Sequence, residues 1–142
     1  MQNSKLINWV LRIAIAGEFI GHGIFSIGFF PASAVGKSIY FIPQKAQWVG
    51  WIHSFTGADM SLSAQLLTII GVLDLCLALL VLMKPIRAAL LWMTFWGFWT
   101  ALLRPLVGEL FWDFVERSAN WGAPLALLLL IGWPKNIKEW FN

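Results

Sequence analysis

Charge is scarce in this chain, and cysteine almost absent. Only 12% of the 142 residues are charged and 59% are hydrophobic, whereas a soluble domain carries about a quarter charged residues. Too few polar side chains remain to cover a water-facing surface. The composition therefore excludes an ordinary soluble domain and points to an integral membrane protein. The single Cys76 rules out an internal disulfide and any multi-cysteine metal or iron–sulfur site. It lies in an apolar run and reads as a small packing residue. Histidine occurs twice, as His22 and His53, so a bis-histidine haem is not expected, and no metal site is assigned. Phosphate loops, dinucleotide fingerprints, G-x-S-x-G elbows and H-E-x-x-H motifs are all missing. The net charge of +3 comes from Lys and Arg that flank apolar segments. They form no basic stripe, so no nucleic-acid partner is expected.

What the chain does have is length of apolar run. A span needs ~20 mostly apolar residues at ~1.5 Å rise each. Four segments qualify: residues 6–30, 62–83, 86–103 and 111–133. The fold class expected is all-α, a four-helix transmembrane bundle forming one domain over residues 1–142. Pro31 and the polar stretch 33–38 end the first span. Ser61 is the expected N-cap of the second. Pro85 suits the start of the third, and Arg104-Pro105 its end, because the residue before proline avoids the α region. Pro124 falls inside the fourth span and should kink it, freeing the carbonyl of Asn120. Ala32-Ser33-Ala34 resembles a signal-peptide cleavage site. Glu18 and His22 interrupt the apolar core before it, however, so the segment is expected to be a retained helix.

Four spans put both termini on one side of the membrane. Lys5, Arg12, Lys84, Arg87, Lys135 and Lys138 share that side, against Lys37, Lys45, Arg104 and Arg117 on the other. The positive-inside rule then places both termini in the cytoplasm of an inner-membrane protein. The first connection is about 30 residues, long for a compact fold. Within it Trp48, Trp51, Ile52 and Phe55 recur at helical spacing, opposite Gln47, Gly50, His53 and Ser54. This pattern predicts a short amphipathic helix on the outer membrane surface, between helices one and two.

Ten tryptophans are present. Trp9, Trp133 and Trp140 suit the inner aromatic belt, and Trp48, Trp51, Trp112 and Trp121 the outer one. Trp92, Trp96 and Trp99 differ. At helical rise they lie about 9, 15 and 20 Å from Ile86, on one face, with Phe95 alongside. Helix–helix packing explains such a stripe, and so does a wall for a flat or cationic ligand.

Two acids fall within the apolar runs. Glu18 is ~18 Å along the first span and Asp74 ~15 Å from the turn after the second. A carboxylate at that depth costs at least ~2.5 kcal/mol on insertion scales, so a use or a partner is expected. If the two helices pack together, two carboxylates in a dry site cannot both ionise cheaply, and one keeps a proton. Proton coupling, or donation to a carbonyl oxygen, would follow. The alternative is a pair of structural acids satisfied by Thr68 or Thr94. His22 lies one turn beyond Glu18 in Gly21-His22-Gly23, where the glycines permit close approach of a ligand or another backbone. It could relay protons with Glu18, bind a metal, or simply hydrogen-bond within the bundle. Arg104, Glu109, Asp113, Glu116, Arg117 and Asn120 crowd the outer ends of helices three and four. Salt bridges account for most of them. Arg104 has the reach to turn inward and offer a bidentate donor to a carbonyl or an anionic head group.

Short motifs add a resemblance. Arg12, Gly17, Phe19 and Gly23 follow a pattern of Arg, then Gly-x-Phe, then Gly. Gly71-Val72-Leu73-Asp74-Leu75 is a glycine-started, acid-containing helix segment, and Arg87-Ala88-Ala89 follows a short turn. Together they resemble the DoxX-like family of small four-helix membrane proteins, over most of residues 12–105. Members often carry Glu where this chain has Asp74. The lysine often found after the first-helix glycine has no counterpart in Phe25-Ser26-Ile27. The resemblance implies a four-helix membrane bundle. Some members are linked to quinone-dependent sulfur oxidation, and others are partners of redox or stress-response proteins.

The expected function is thus a membrane subunit or accessory of a redox system. Glu18, Asp74 and His22 would handle protons. Arg104, Trp92, Trp96 and Trp99 would bind a lipophilic ring compound such as a quinone. The expected partners are the bilayer, that small molecule, and a redox subunit or a second copy. Two rivals stand beside this reading. A membrane-embedded Glu in the first of four helices, beside Trp residues, also resembles the small multidrug transporters, which implies proton-coupled export of lipophilic cations; the long outer connection and Asp74 depart from that pattern. The other rival is a non-catalytic assembly partner whose buried charges pair among themselves or with another subunit.

Overall fold

The computed structural model describes residues 2–30, 40, 41 and 43–141. The stretch 33–38, the Ala32-Ser33-Ala34 site and Lys37 lie outside the described residues. The fold is all-α, as the periodicity predicts. Its helices are α1 (Gln2–Ile27), α2 (Pro43–Thr56), α3 (Met60–Met83), α4 (Arg87–Leu106), α5 (Phe111–Glu116) and α6 (Ser118–Ile131), with a 3-10 turn at Ile137–Phe141. Among the described residues the one extended feature is a two-residue antiparallel pair, Phe29–Phe30 against Tyr40–Phe41.

Among the described residues, Ser4–Ile27 and Met60–Met83 are long and apolar enough to cross a membrane. Only 28% and 33% of their most apolar stretches are buried. A soluble core helix would hide most of such a stretch. Here Leu6, Ile7, Val10, Ile13, Ile69, Val72, Leu79 and Met83 stand exposed, a pattern stable in lipid and costly in water.

The helix ends differ from several expectations for identifiable reasons. Asp59, not Ser61, caps α3: its Oδ1 accepts the N–H of Leu62 at 2.8 Å, satisfying an orphan donor of the first turn. The N-cap of α4 is Ile86, so Pro85 sits just outside the helix. Pro105 does not stop α4, which runs on to Leu106. The stop comes from Gly108 at φ +95°. The N–H of Glu109 donates to the carbonyl of Arg104, and that of Gly108 to Pro105, the paired bonds of a Schellman end. The fourth segment is interrupted at Arg117, and Pro124 lies inside α6. No residue of α5 is buried, whereas Pro124, Leu127 and Leu128 of α6 are; the core holds α6 and not α5.

The described residues form two compact units. Residues 2–18 and 77–141 make unit 1, and Phe19–Cys76 makes unit 2. In unit 1, α4 packs along α6, around Leu90, Met93, Ala101, Leu127 and Leu128. Gly97 makes the crossing possible: a Cβ there would lie 2.6 Å from the carbonyl oxygen of Asn120. Pro124 has no N–H to offer that carbonyl, so it is free to face α4. Two arginines close helix ends. Arg12 lies over Trp9 at 4.1 Å and donates to the carbonyls of Val81 and Leu82. Arg87 donates to the carbonyls of Ile131, Gly132 and Glu139.

In unit 2, α2 is the short helix the tryptophan spacing predicts. Its apolar face is not laid open: Trp48 and Val49 are buried against Leu67, flanked by Trp51, Ile52 and Ala64. Phe55, counted with that face, is exposed. Helices α1 and α3 cross at two glycines. A Cβ on Gly23 would meet the carbonyl oxygen of Gly71 at 2.8 Å, and one on Gly71 the carbonyl oxygen of Gly23 at 2.7 Å. Cys76 is exposed on α3 rather than packed. Its small, apolar-like side chain suits a lipid-facing position as well as a core.

Candidate functional site

The glycine crossing in unit 2 sets the α1–α3 register. It brings His22 of α1 against Asp74 of α3, with Nδ1 2.6 Å from Oδ2. Asp74 is 1% exposed, and the His22 side chain 24%. Such contact assigns roles. The Nδ1–H donates to the carboxylate, which fixes the ring and leaves Nε2 for another partner. A charged imidazole offers Nε2–H as a donor; a neutral one accepts there. Trp48 stacks on the imidazole at 4.9 Å between centroids and 24° between planes, and Phe25 meets Trp48 edge-on.

One turn along the same seam sit two more polar groups. Ser26 is fully buried, with its Cβ against Gly71. Neither Ser26 Oγ nor Asp74 Oδ1 has a hydrogen-bond partner among the described residues. Beyond them, Lys45 of α2 donates from Nζ to the carbonyl of Ile27 and to Thr68 Oγ1, both at 2.8 Å. Its stem covers Gly28, which turns out of α1 at φ +83°. A cation there neutralises the carbonyl end of the α1 dipole. Burial lowers the pKa of its ammonium.

The other anticipated residues lie in unit 1. Glu18 is exposed, and its Oε1 accepts from Asn120 Nδ2 at 2.7 Å. Thr68 and Thr94 satisfy neither acid, since their hydroxyls donate to the carbonyls of Ala64 and Leu90. Arg104 is engaged by Glu109, Nη1 to Oε2 at 2.8 Å. Trp92 stacks on Trp96 at 6.0 Å and 10° and touches Phe95. Trp92, Phe95 and Trp99 are exposed, so the stripe is not helix–helix packing inside unit 1. The indole N–H of Trp96 is buried without a partner among the described residues.

No protein-family model, no curated protein and no solved structure matches this chain. Its chemistry therefore has to be read from its own residues. Of those singled out in the sequence, the structure brings together His22 with Asp74, and Trp92 with Trp96. Sequence reasoning missed Trp48, Ser26 and Lys45 around the first pair, and Asn120 beside Glu18. The helical spacing of Trp48 did mark it as apolar-faced, but that signal fits an aromatic belt as well as a site. Ser26 has a signal only in retrospect, one turn from His22 on the same face.

Proposed function

We propose that this chain is a DoxX-like inner-membrane protein, a membrane subunit or accessory of a redox system. It crosses the bilayer four times, with α1, α3, α4 and the α5–α6 segment as spans and both termini in the cytoplasm. Its ligand is a lipophilic ring compound bearing a carbonyl or hydroxyl, with a quinone first in line. The observation that carries this reading is the buried Asp74 gripping His22 at 2.6 Å between two apolar helices. A dry carboxylate that orients an imidazole is a device for presenting a donor or acceptor at Nε2. A quinone carbonyl accepts from the charged ring, and a quinol hydroxyl donates to the neutral one. Membrane-buried charges are costly enough that such a pair without a use is a poor bargain for stability alone. In the same reading Glu18, held by Asn120, is a second proton-handling acid, and the exposed rings of Trp92, Phe95 and Trp99 are a surface for flat apolar rings.

The test is mass spectrometry of small molecules that co-purify in mild detergent. Wild type is compared with Asp74→Asn, Glu18→Gln and the double variant. A ring compound enriched in wild type and lost with Asp74→Asn is the expected result. Identical bulk-lipid profiles from all four proteins would count decisively against a ligand site.

A further inference from the structure

We propose that the cleft between the start of α1 and the end of α6 is a headgroup site for an anionic phospholipid, with the Lys5 ammonium on the phosphate and Asn8 and Ser4 as hydrogen-bonding neighbours. The inference goes beyond the redox reading. It rests only on α1 being a membrane span whose first turns lie at the bilayer surface.

The cleft has a volume of about 290 Å³ and is lined by Ser4, Lys5, Asn8, Trp9 and Leu130, all within unit 1. That volume is at the lower end of the range for small-molecule sites. Helical spacing explains the α1 side of it. Ser4 and Asn8, like Lys5 and Trp9, are four residues apart and share a face. The polar members can all donate: an ammonium that has no acceptor, an amide NH2 and a hydroxyl. Among the described residues no carboxylate lines the cleft, and the exposed Lys5 forms no ion pair. Such a set matches an oxyanion. Trp9 and Leu130 supply an apolar wall, continued by the exposed Leu6, Val10 and Leu129. A soluble anion has no use for that wall, whereas the acyl chains beneath a lipid headgroup do.

The surrounding charge has the matching sign. Arg12 donates to the carbonyls of Val81 and Leu82, which brings the end of α3 beside the first turns of α1. Arg87 donates to the carbonyls of Ile131 and Gly132, which brings the start of α4 to the end of α6. This end of unit 1 therefore gathers Lys5, Arg12, Lys84, Arg87, Lys135 and Lys138. Among the described residues its one acid is Glu139, which accepts from Asn136 Nδ2 and from the N–H of Lys135. Basic pockets between membrane helices are where anionic headgroups bind. Arg12 lies over the Trp9 ring at 4.1 Å, so it sets the indole that walls the cleft. Its guanidinium is spent on carbonyls, which leaves Lys5 as the cation for the phosphate.

The test is native mass spectrometry of protein extracted in mild detergent from mixed vesicles of phosphatidylcholine and phosphatidylglycerol with identical chains. Wild type should retain phosphatidylglycerol preferentially. Lys5→Gln should cut that retention about fivefold, the worth of one lysine at an anionic surface. Asn8→Leu keeps the charge and should cut it severalfold, as loss of one hydrogen bond does. Lys138→Gln removes the same charge from the same end but outside the cleft, and should stay near the wild-type value. Equal losses from Lys5→Gln and Lys138→Gln would mean diffuse attraction to a basic surface and overturn the site. So would an Asn8→Leu protein that behaves as wild type, or a wild type without preference. Displacement of the lipid by inorganic phosphate would mark a soluble anion as the occupant and overturn the proposal as well. Flotation separates this from the span reading. A chain that floats with pure phosphatidylcholine vesicles yet shows no preference loses the headgroup site alone; one that does not float loses both.

Discussion

Lys45 shows how one residue serves both element and site. Its ammonium closes the carbonyl end of α1 and supports Thr68, while burial lowers its pKa. Lys45→Met keeps the stem and removes the donor. It is expected to cost ~1.5–3 kcal/mol, the range for a hydrogen bond involving a charged group, measured by thermal unfolding in detergent. The pH dependence has a definite sign. A lysine whose folded pKa lies below its unfolded value favours folding more as it loses its proton. Wild type should therefore gain stability relative to Lys45→Met as pH rises from neutral toward about 10, the ordinary lysine value. A melting series showing the opposite slope would remove desolvation as the cause. His22 gives a second prediction at this scale. Asp74→Asn replaces a carboxylate with an amide and should shift the His22 ring-nitrogen resonances while leaving those of His53 in place.

Among the elements, glycine decides where helices touch. Gly23→Ala and Gly71→Ala put a methyl group 2.8 and 2.7 Å from a backbone oxygen. Backbone cannot rotate aside as a side chain can, so the helices must part. Each substitution should cost ~1–3 kcal/mol, typical of overpacking, and should move the His22 resonances because the register of His22 on Asp74 goes with it. Gly21→Ala is the control: an added Cβ there meets nothing within 4 Å. It should be neutral or stabilise α1 by up to ~1 kcal/mol on helix propensity. Equal effects at Gly21 and Gly23 would show that the crossing does not hold the pair. Gly97→Ala should destabilise unit 1 in the same manner, because Asn120 presents its carbonyl at 2.6 Å.

At the scale of the molecule, the exposed apolar faces of α1 and α3 set the environment. The chain is expected to stay with membranes through alkaline carbonate washing, and reporters fused to either terminus should both read cytoplasmic. Opposite readings would mean an odd number of crossings. Cys76, exposed on α3, offers an independent check. A lipid-soluble thiol reagent should label it readily, and a bulky charged one should not. Rapid labelling by the charged reagent would place that face of α3 in water.

Much of this was written in the chain itself. Apolar runs of helical length, the turn at Lys84-Pro85 and the placement of Asp74 and Glu18 within apolar helices follow from local composition, because helix formation and membrane compatibility depend on residues within a turn or two of one another. So does the freed carbonyl of Asn120, which needs only Pro124 four residues on. Partnership between helices does not follow. That Asp74 meets His22, that Glu18 meets Asn120, and that Trp48 stacks on an imidazole all depend on where helices cross. Those crossings are set by contacts of Gly23 with Gly71 and of Gly97 with Asn120, residues far apart in the chain. A glycine in sequence marks only the permission for close approach; the neighbour that takes it up exists only in the folded protein.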